Sequence, residues 1–161
     1  MDYIDELGSL ALASRLKRLL NRMHTDGEKV YRDLKIDFKT KWFPVLHLLD
    51  NRSPLTLMQI ADALKQAHPS VIEVVDELIK KGLVSQQRSE ADRRRRELSI
   101  TTKGRQTCER LEPVWVAFRE AGDDVNTANR NNVIAAIERM ERALDSQSLY
   151  DRIMIRIRSR R

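Results

Sequence analysis

The sequence predicts a mainly α-helical protein with one small β-hairpin, and three observations carry that reading. Apolar residues recur at helical spacing over most of the chain, most cleanly at Val71, Val74, Val75 and Leu78. Five glycines, four prolines and 5% aromatic residues are too few for a sandwich or barrel. The one clear alternation, Glu97-Leu98-Ser99-Ile100, follows 83–87, which also reads as a strand, and a polar loop lies between the two.

The elements follow in chain order. A first helix is predicted over 3–24 from Ile4, Leu7, Leu10, Leu12, Leu16, Leu19, Leu20 and Met23, with Gly8 an early weak point. The pattern thins at Thr25 to Gly27, and a short helical stretch follows at 30–34. Pro44 lies inside the apolar run 39–50, KTKWFPVLHLLD, where it either kinks a helix or starts one. Asn51-Arg52-Ser53-Pro54 reads as a turn. Thr56 is placed to cap a helix carrying Leu57, Ile60, Ala61 and Leu64. Gln66 to His68 connect it to a second helix with Pro69 in its first turn, closed by Lys80-Lys81-Gly82. Two short helices joined by a tight turn form a helix-turn-helix. With strands at 83–87 and 97–101 beside it, the arrangement is a winged helix. Thr101 or Thr102 caps a helix over 103–121 bearing Cys108, Leu111, Val114, Trp115 and Phe118, bent at Pro113 and broken at Gly122-Asp123-Asp124. A last helix over 129–146 places Val133, Ile137, Met140 and Leu144 on a heptad-like stripe, which the tail extends through Leu149, Ile153 and Ile157. Such a stripe suits association with another chain or packing within one.

The loop of the hairpin is the unusual part. Residues 89–104 read SEADRRRRELSITTKG, so Arg93, Arg94, Arg95 and Arg96 stand at the tip of two paired strands. A helix can enter a major groove while a hairpin loop beside it reaches the adjacent minor groove. A narrow minor groove concentrates negative potential, which arginine exploits. The four arginines are therefore the expected minor-groove and phosphate contacts, with affinity that falls as salt rises. Gln66, His68 and Ser70, at the start of the second helix, are candidates for phosphate or base contacts helped by the positive helix end; for Ser70 a capping role is the alternative. The net charge of +6 fits an anionic partner, nucleic acid or anionic membrane.

Other chemistries are disfavoured. Three histidines and one cysteine lie scattered without metal-ligand spacing, so no metal is expected. There is neither a Gly-rich phosphate loop nor a nucleophile elbow, so no cofactor and no enzymatic activity are expected. The single cysteine, Cys108, reads as a buried, inert thiol and fits a reducing compartment. The acidic start, MDYIDELGSL, lacks the n-region of a signal peptide, and no apolar run approaches a membrane span. The expectation is a soluble, cytoplasmic protein without a membrane partner, its C-terminal arginines a solvated helix face.

Asp92-Arg93-Arg94, followed by Leu98-Ser99-Ile100-Thr101-Thr102-Lys103-Gly104, resembles the wing signature of the MarR family of bacterial transcription regulators. Upstream, Ile60-Ala61, His68-Pro69-Ser70-Val71 and Leu78-Ile79-Lys80-Lys81-Gly82-Leu83-Val84 are similar to that family's helix-turn-helix. The resemblance extends over nearly the whole chain. The His-Pro-Ser-Val variant is most like members fused to a GNAT acetyltransferase, for which 161 residues leave no room. The resemblance implies a homodimer on double-stranded DNA, reading a pseudo-palindrome. Its parts would be 1–38, an N-terminal dimerisation region; 39–104, the DNA-binding domain; and 105–161, the C-terminal dimerisation helices and basic tail. It also implies a small aromatic or phenolic ligand, for which Trp42, His47 and Trp115 are the polar-tipped candidates, a place in the core or the dimer interface being the other reading of each. One departure stands out. Where the family commonly has a hydroxyl and then a basic or amide residue, this chain has Ile72 and Glu73. Ile72 offers contact with a thymine methyl; Glu73 either accepts from cytosine N4 or is repelled by phosphates, and Asp76 and Glu77 add negative charge. That acidity keeps a winged-helix docking module in view as a rival reading, and the likeness to GNAT-fused members keeps a second, the regulatory partner of a separate acetyltransferase.

Overall fold

Helix His68–Lys80 buries the stripe Val71, Val74, Val75 and Leu78, as its spacing requires. It belongs to a computed structural model that describes residues 2–88, 96–128 and 132–160. The chain divides into two units, Met1–Arg110 and Leu111–Arg161. In order, the first holds α1 (Tyr3–Glu6), α2 (Leu12–Asp33), α3 (Phe43–Arg52), β1 (Leu55–Thr56), α4 (Leu57–Leu64), α5 (His68–Lys80), β2 (Val84–Arg88) and β3 (Arg96–Ile100). Helix α6 (Thr102–Thr127) begins in the first unit and ends in the second, which continues with α7 (Val133–Ser146) and α8 (Leu149–Arg158). The protein is mainly helical with a three-stranded antiparallel sheet of order β1-β3-β2, the winged helix-turn-helix that the sequence predicts.

Local chemistry explains most boundaries. Gly8, at φ +54, takes a left-handed conformation that ends α1, and a 3₁₀ turn over Gly8–Ala11 leads into α2. Arg18 bridges Asp2 and Asp5, tying that first segment back to α2. Pro44 starts α3 rather than kinking it, directly after a 3₁₀ turn at Thr40–Trp42. Thr56 and Gln59 form a reciprocal capping box at the head of α4. The C-terminus of α5 is a Schellman motif: the Gly82 N–H donates to the Ile79 carbonyl at 2.9 Å and the Leu83 N–H to the Leu78 carbonyl at 3.0 Å. Thr101, not Thr102, caps α6, its hydroxyl accepting from the Gly104 N–H at 3.0 Å and donating to the Gly82 carbonyl at 2.7 Å.

Five expectations need correction. No single helix spans 3–24: α1 stops at Glu6, and α2 runs unbroken from Leu12 to Asp33, where Thr25 bonds back to the Asn21 carbonyl at 2.8 Å and Gly27 is buried within the helix. Asn51 and Arg52 belong to the last turn of α3, where the Asn51 amide donates to the His47 carbonyl, so no turn spans 51–54. α6 runs through Gly122 to Thr127, a Gly-Asp-Asp run on an exposed helix face being tolerated at modest cost. α7 starts at Val133 behind the cap Asn132, whose side chain accepts from the Ala135 N–H at 2.8 Å; residues 129–131 lie outside the described residues. The tail does not extend α7. Gln147 is extended, Ser148 caps a separate α8, and Arg152 donates to the Gln147 and Ala143 carbonyls at the end of α7. β1 was not predicted at all, since two residues carry no periodicity.

Trp42, Leu46, Leu49, Ile60, Leu78 and Leu98 are the fully buried centre of the first unit. Around it, Gly104 permits a close approach. A Cβ there would collide with the Leu83 carbonyl oxygen and lie 2.6 Å from Ile100 Cγ1. Gly104→Ala is accordingly expected to lower stability by about 1–3 kcal/mol through overpacking. A urea-unfolding midpoint equal to that of the wild type would show that the strand and helix separate freely at this point.

Candidate nucleic-acid interface

The geometry begins with how α5 is held. Its inner face is fixed by Val71, Val74, Val75 and Leu78, so the opposite face is presented outward. Gln66, in the turn before it, and His68, Ser70, Ile72 and Glu73 on it are all exposed. The N-cap is Ala67, which offers no side-chain bond. Ser70 thus lies inside the first turn and does not cap. Pro69 has no N–H, and the Ser70 and Val71 N–H groups donate to the Ala67 carbonyl at 3.0 and 3.3 Å, so what this end offers an anion is the positive pole of the helix dipole.

The hairpin register pairs Arg88 with Arg96 and Gln86 with Leu98. Arg96 is exposed; Arg93, Arg94 and Arg95 lie outside the described residues. A groove of about 620 Å³ runs between α4, α5 and the strands, and His68, Ile72, Asp76 and Arg96 line it. The structure therefore brings the recognition-helix candidates His68 and Ile72 alongside the wing candidate Arg96.

Two of the three acidic residues of α5, Glu73 and Glu77, are paired. The Glu77 carboxylate accepts from Lys39 Nζ at 3.0 Å, Lys41 Nζ at 2.9 Å and the Trp42 indole N–H at 2.6 Å. Lys41 also donates to Glu73 at 2.6 Å. The Lys41 hydrogen bond, then those of Trp42 and Lys39, hold Glu77 down to a pKa of about 2, and the same pairing, Glu73 first, raises Lys41. Lys39 and Lys41 are the residues that sequence reasoning missed, and with them the pairing of Glu77. The spacing of Glu73 and Glu77 puts both on one helix face, which was legible. Their partners stand more than thirty residues upstream, and no local pattern points to them.

The ligand candidates separate. Trp42 is buried, its ring edge-on to Phe38 at 5.6 Å and its N–H given to Glu77. Lys39 and Lys81 place their ammonium groups 5.3 and 5.9 Å from its ring centroid. His47 is exposed on α3, its ring 5.2 Å from that of Phe43. Trp115 is buried in the second unit. Neither Trp42 nor His47 lines the groove. Cys108 is buried, and among the described residues no cluster of His, Cys, Asp or Glu is arranged to hold a metal.

Residues 36–95 match the model of the MarR family. Among solved structures, the chain is similar to the transcriptional repressor CouR bound to a 23-mer DNA duplex, at 29% identity over 85% of this chain and 96% of that one, with a TM-score of 0.65. It shares its fold with Bordetella bronchiseptica BpsR, whose DNA binding is regulated by 6-hydroxynicotinic acid, at 21% identity, 83% and 92% coverage and a TM-score of 0.65. It shares it also with S. aureus MepR in complex with DNA, at 19% identity, 84% and 97% coverage and a TM-score of 0.68. No curated protein sequence matches the chain.

The Glu77 pKa makes a pH prediction with a definite sign. A carboxylate held at about 2 rather than the ordinary 4.5 contributes stability that is complete above the higher value and is lost as pH falls toward the lower. The thermal midpoint of the wild type should therefore exceed that of Glu77→Gln at neutral pH, and the gap should close on acidification between those two values. A gap of constant size down to the lower value would mean that the indole and lysine bonds do not depend on the ionised carboxylate.

Proposed function

We propose that this chain, which carries a MarR family domain in a winged-helix framework, is a DNA-binding transcription regulator that works as a homodimer on a pseudo-palindromic site. The observation that carries this reading is the shared groove: the exposed face of α5 and Arg96 at the end of the wing border one concave surface. Gln66, His68, Ser70 and Ile72 would meet the major groove, while Glu73, drawn to Lys41, would stay out of it. Arg93, Arg94, Arg95 and Arg96 would track the neighbouring minor groove and phosphates. CouR, the most informative relative, is a repressor seen on a DNA duplex. Such work belongs in the cytoplasm, and among the described residues no helix is long and apolar enough to cross a membrane.

The homodimer is supported by apolar surface left uncovered in a single chain. α2 exposes Leu12, Leu16, Leu19, Leu20 and Met23, while α7 and α8 expose Val133, Ile137, Met140, Leu144, Leu149, Ile153 and Ile157. These are continuous helical stripes, a pattern that marks an association surface rather than scattered surface residues. Control by a small aromatic ligand is supported by BpsR, whose DNA binding answers to 6-hydroxynicotinic acid. Of the candidates Trp42, His47 and Trp115, His47 is exposed and the two tryptophans are buried, so His47 is the one a ligand would reach first.

Two experiments test the reading. Binding of the wild type to a palindromic duplex, selected from genomic fragments, is expected to weaken steeply with salt. Arg94→Ala should bind more weakly with a slope reduced by about one per protomer, and Arg96→Ala by a similar amount. An unchanged slope in both would remove the wing from the interface. Separately, Ile137→Glu combined with Leu144→Glu is expected to shift the sedimentation coefficient to that of a monomer and to abolish tight operator binding. A double variant that stays dimeric would place the interface elsewhere.

A further inference from the structure

We infer that Lys41, with Lys39 behind it, sets the DNA affinity of this protein by cancelling the charge of Glu73 and Glu77 on the recognition helix, without itself touching DNA. The inference rests on the DNA-binding reading above and extends it to residues outside the helix-turn-helix. It starts from a conflict: a helix meant to enter a groove walled by phosphates carries Glu73 and Glu77 four residues apart on one face. Each like charge brought close to a polyanion opposes binding.

The structure removes the conflict locally. Lys41 Nζ lies 2.6 Å from Glu73 and 2.9 Å from Glu77, and Lys39 Nζ lies 3.0 Å from Glu77. Two carboxylates are matched by two ammonium groups, so the cluster is formally neutral. Both lysines come from the short stretch next to Trp42, and the Trp42 N–H is bonded to the same Glu77 carboxylate. The Thr40 N–H is in turn held by Glu28 of α2 at 2.7 Å. Anchored on both sides, the stretch keeps the lysines at α5. Lys41 spends its charge on two carboxylates at once, which turns it toward the helix. The Glu73 carboxylate is turned the same way, toward Lys41, so it serves here as the partner of a lysine.

The charge arithmetic makes the test. Wild type has two acids and two lysines in the cluster and sums to zero. Lys41→Met leaves an excess negative charge, Glu73→Gln an excess positive one, and Lys41→Met with Glu73→Gln returns to zero. On a palindromic duplex at moderate salt, Lys41→Met should bind roughly tenfold more weakly and Glu73→Gln as tightly as wild type or tighter. The double variant should recover wild-type affinity and wild-type salt slope. Thermal midpoints of all four chains confirm folding, and Lys41→Arg, which keeps the charge, should bind like wild type.

Three results overturn the inference. Binding by Lys41→Met equal to that of wild type would mean that the neutralisation has no consequence. A double variant as weak as Lys41→Met, or with a slope still lower by about one per protomer, would mean that Lys41 grips a phosphate directly. A wild type with no salt-sensitive binding at all removes the DNA-binding reading, and this inference with it; wild-type binding with unrescued loss removes this inference alone.

Discussion

The carboxylate of Glu77 is the point on which the placement of the recognition helix depends. Three donors converge on it, two ammonium groups and the indole N–H of a buried tryptophan. A buried indole N–H needs an acceptor, and a carboxylate on a helix surface is free to turn inward when donors wait there. The tryptophan continues an aromatic chain, since Phe38 stands edge-on to it and Tyr31 of α2 stands 5.1 Å from Phe38. Helix α5 is thus fixed twice. Its valines and Leu78 set how deep it lies in the core, and Glu77 sets its rotation against the turn at Thr40–Trp42.

That rotation decides what the helix can present. With Glu73 and Glu77 drawn toward Lys41 and Lys39, the edge that borders the groove is left to His68, Ile72 and Asp76. Asp76 and, from α4, Asp62 line the same groove as Arg96. A docking module for a basic partner would need its acidic helix unpaired and open. The pairing seen here works against that reading and suits a helix meant to tolerate phosphates.

Legibility in the sequence followed the range of the interaction. Thr56, Gly82 and Thr101 were readable because a cap and its partners lie within a few residues. The hairpin was readable because alternation over five residues is its own signature. What failed was anything decided by a neighbour distant in sequence. β1 is two residues long and exists because β3 pairs with it. The pattern thins at Gly27 and reads as broken at Gly122, yet α2 and α6 run through both, since good helix formers flank them. At the site, exposure of His68, Ser70, Ile72 and Glu73 followed from the buried stripe alone. The charge state of that surface did not, because Lys39 and Lys41 reach it only through the tertiary fold. A count of acids on a helix is therefore a poor guide to its field until the opposing element is known.

Symmetry gives this local pairing unusual leverage. In the proposed homodimer both subunits present the same helix to one duplex, so any change at the cluster occurs twice per complex. A free-energy change per subunit then doubles, and the corresponding ratio of dissociation constants is squared. An ion pair between exposed side chains contributes little to folding, commonly about 0–1 kcal/mol. The same pair, set where a polyanion will approach, acts on a far stronger field than its partner alone supplies. Folding stability and binding affinity can therefore respond very differently to one substitution at Lys41. The apolar stripes of α2, α7 and α8, by bringing two copies together, would be what converts a weak surface contact into a determinant of regulation.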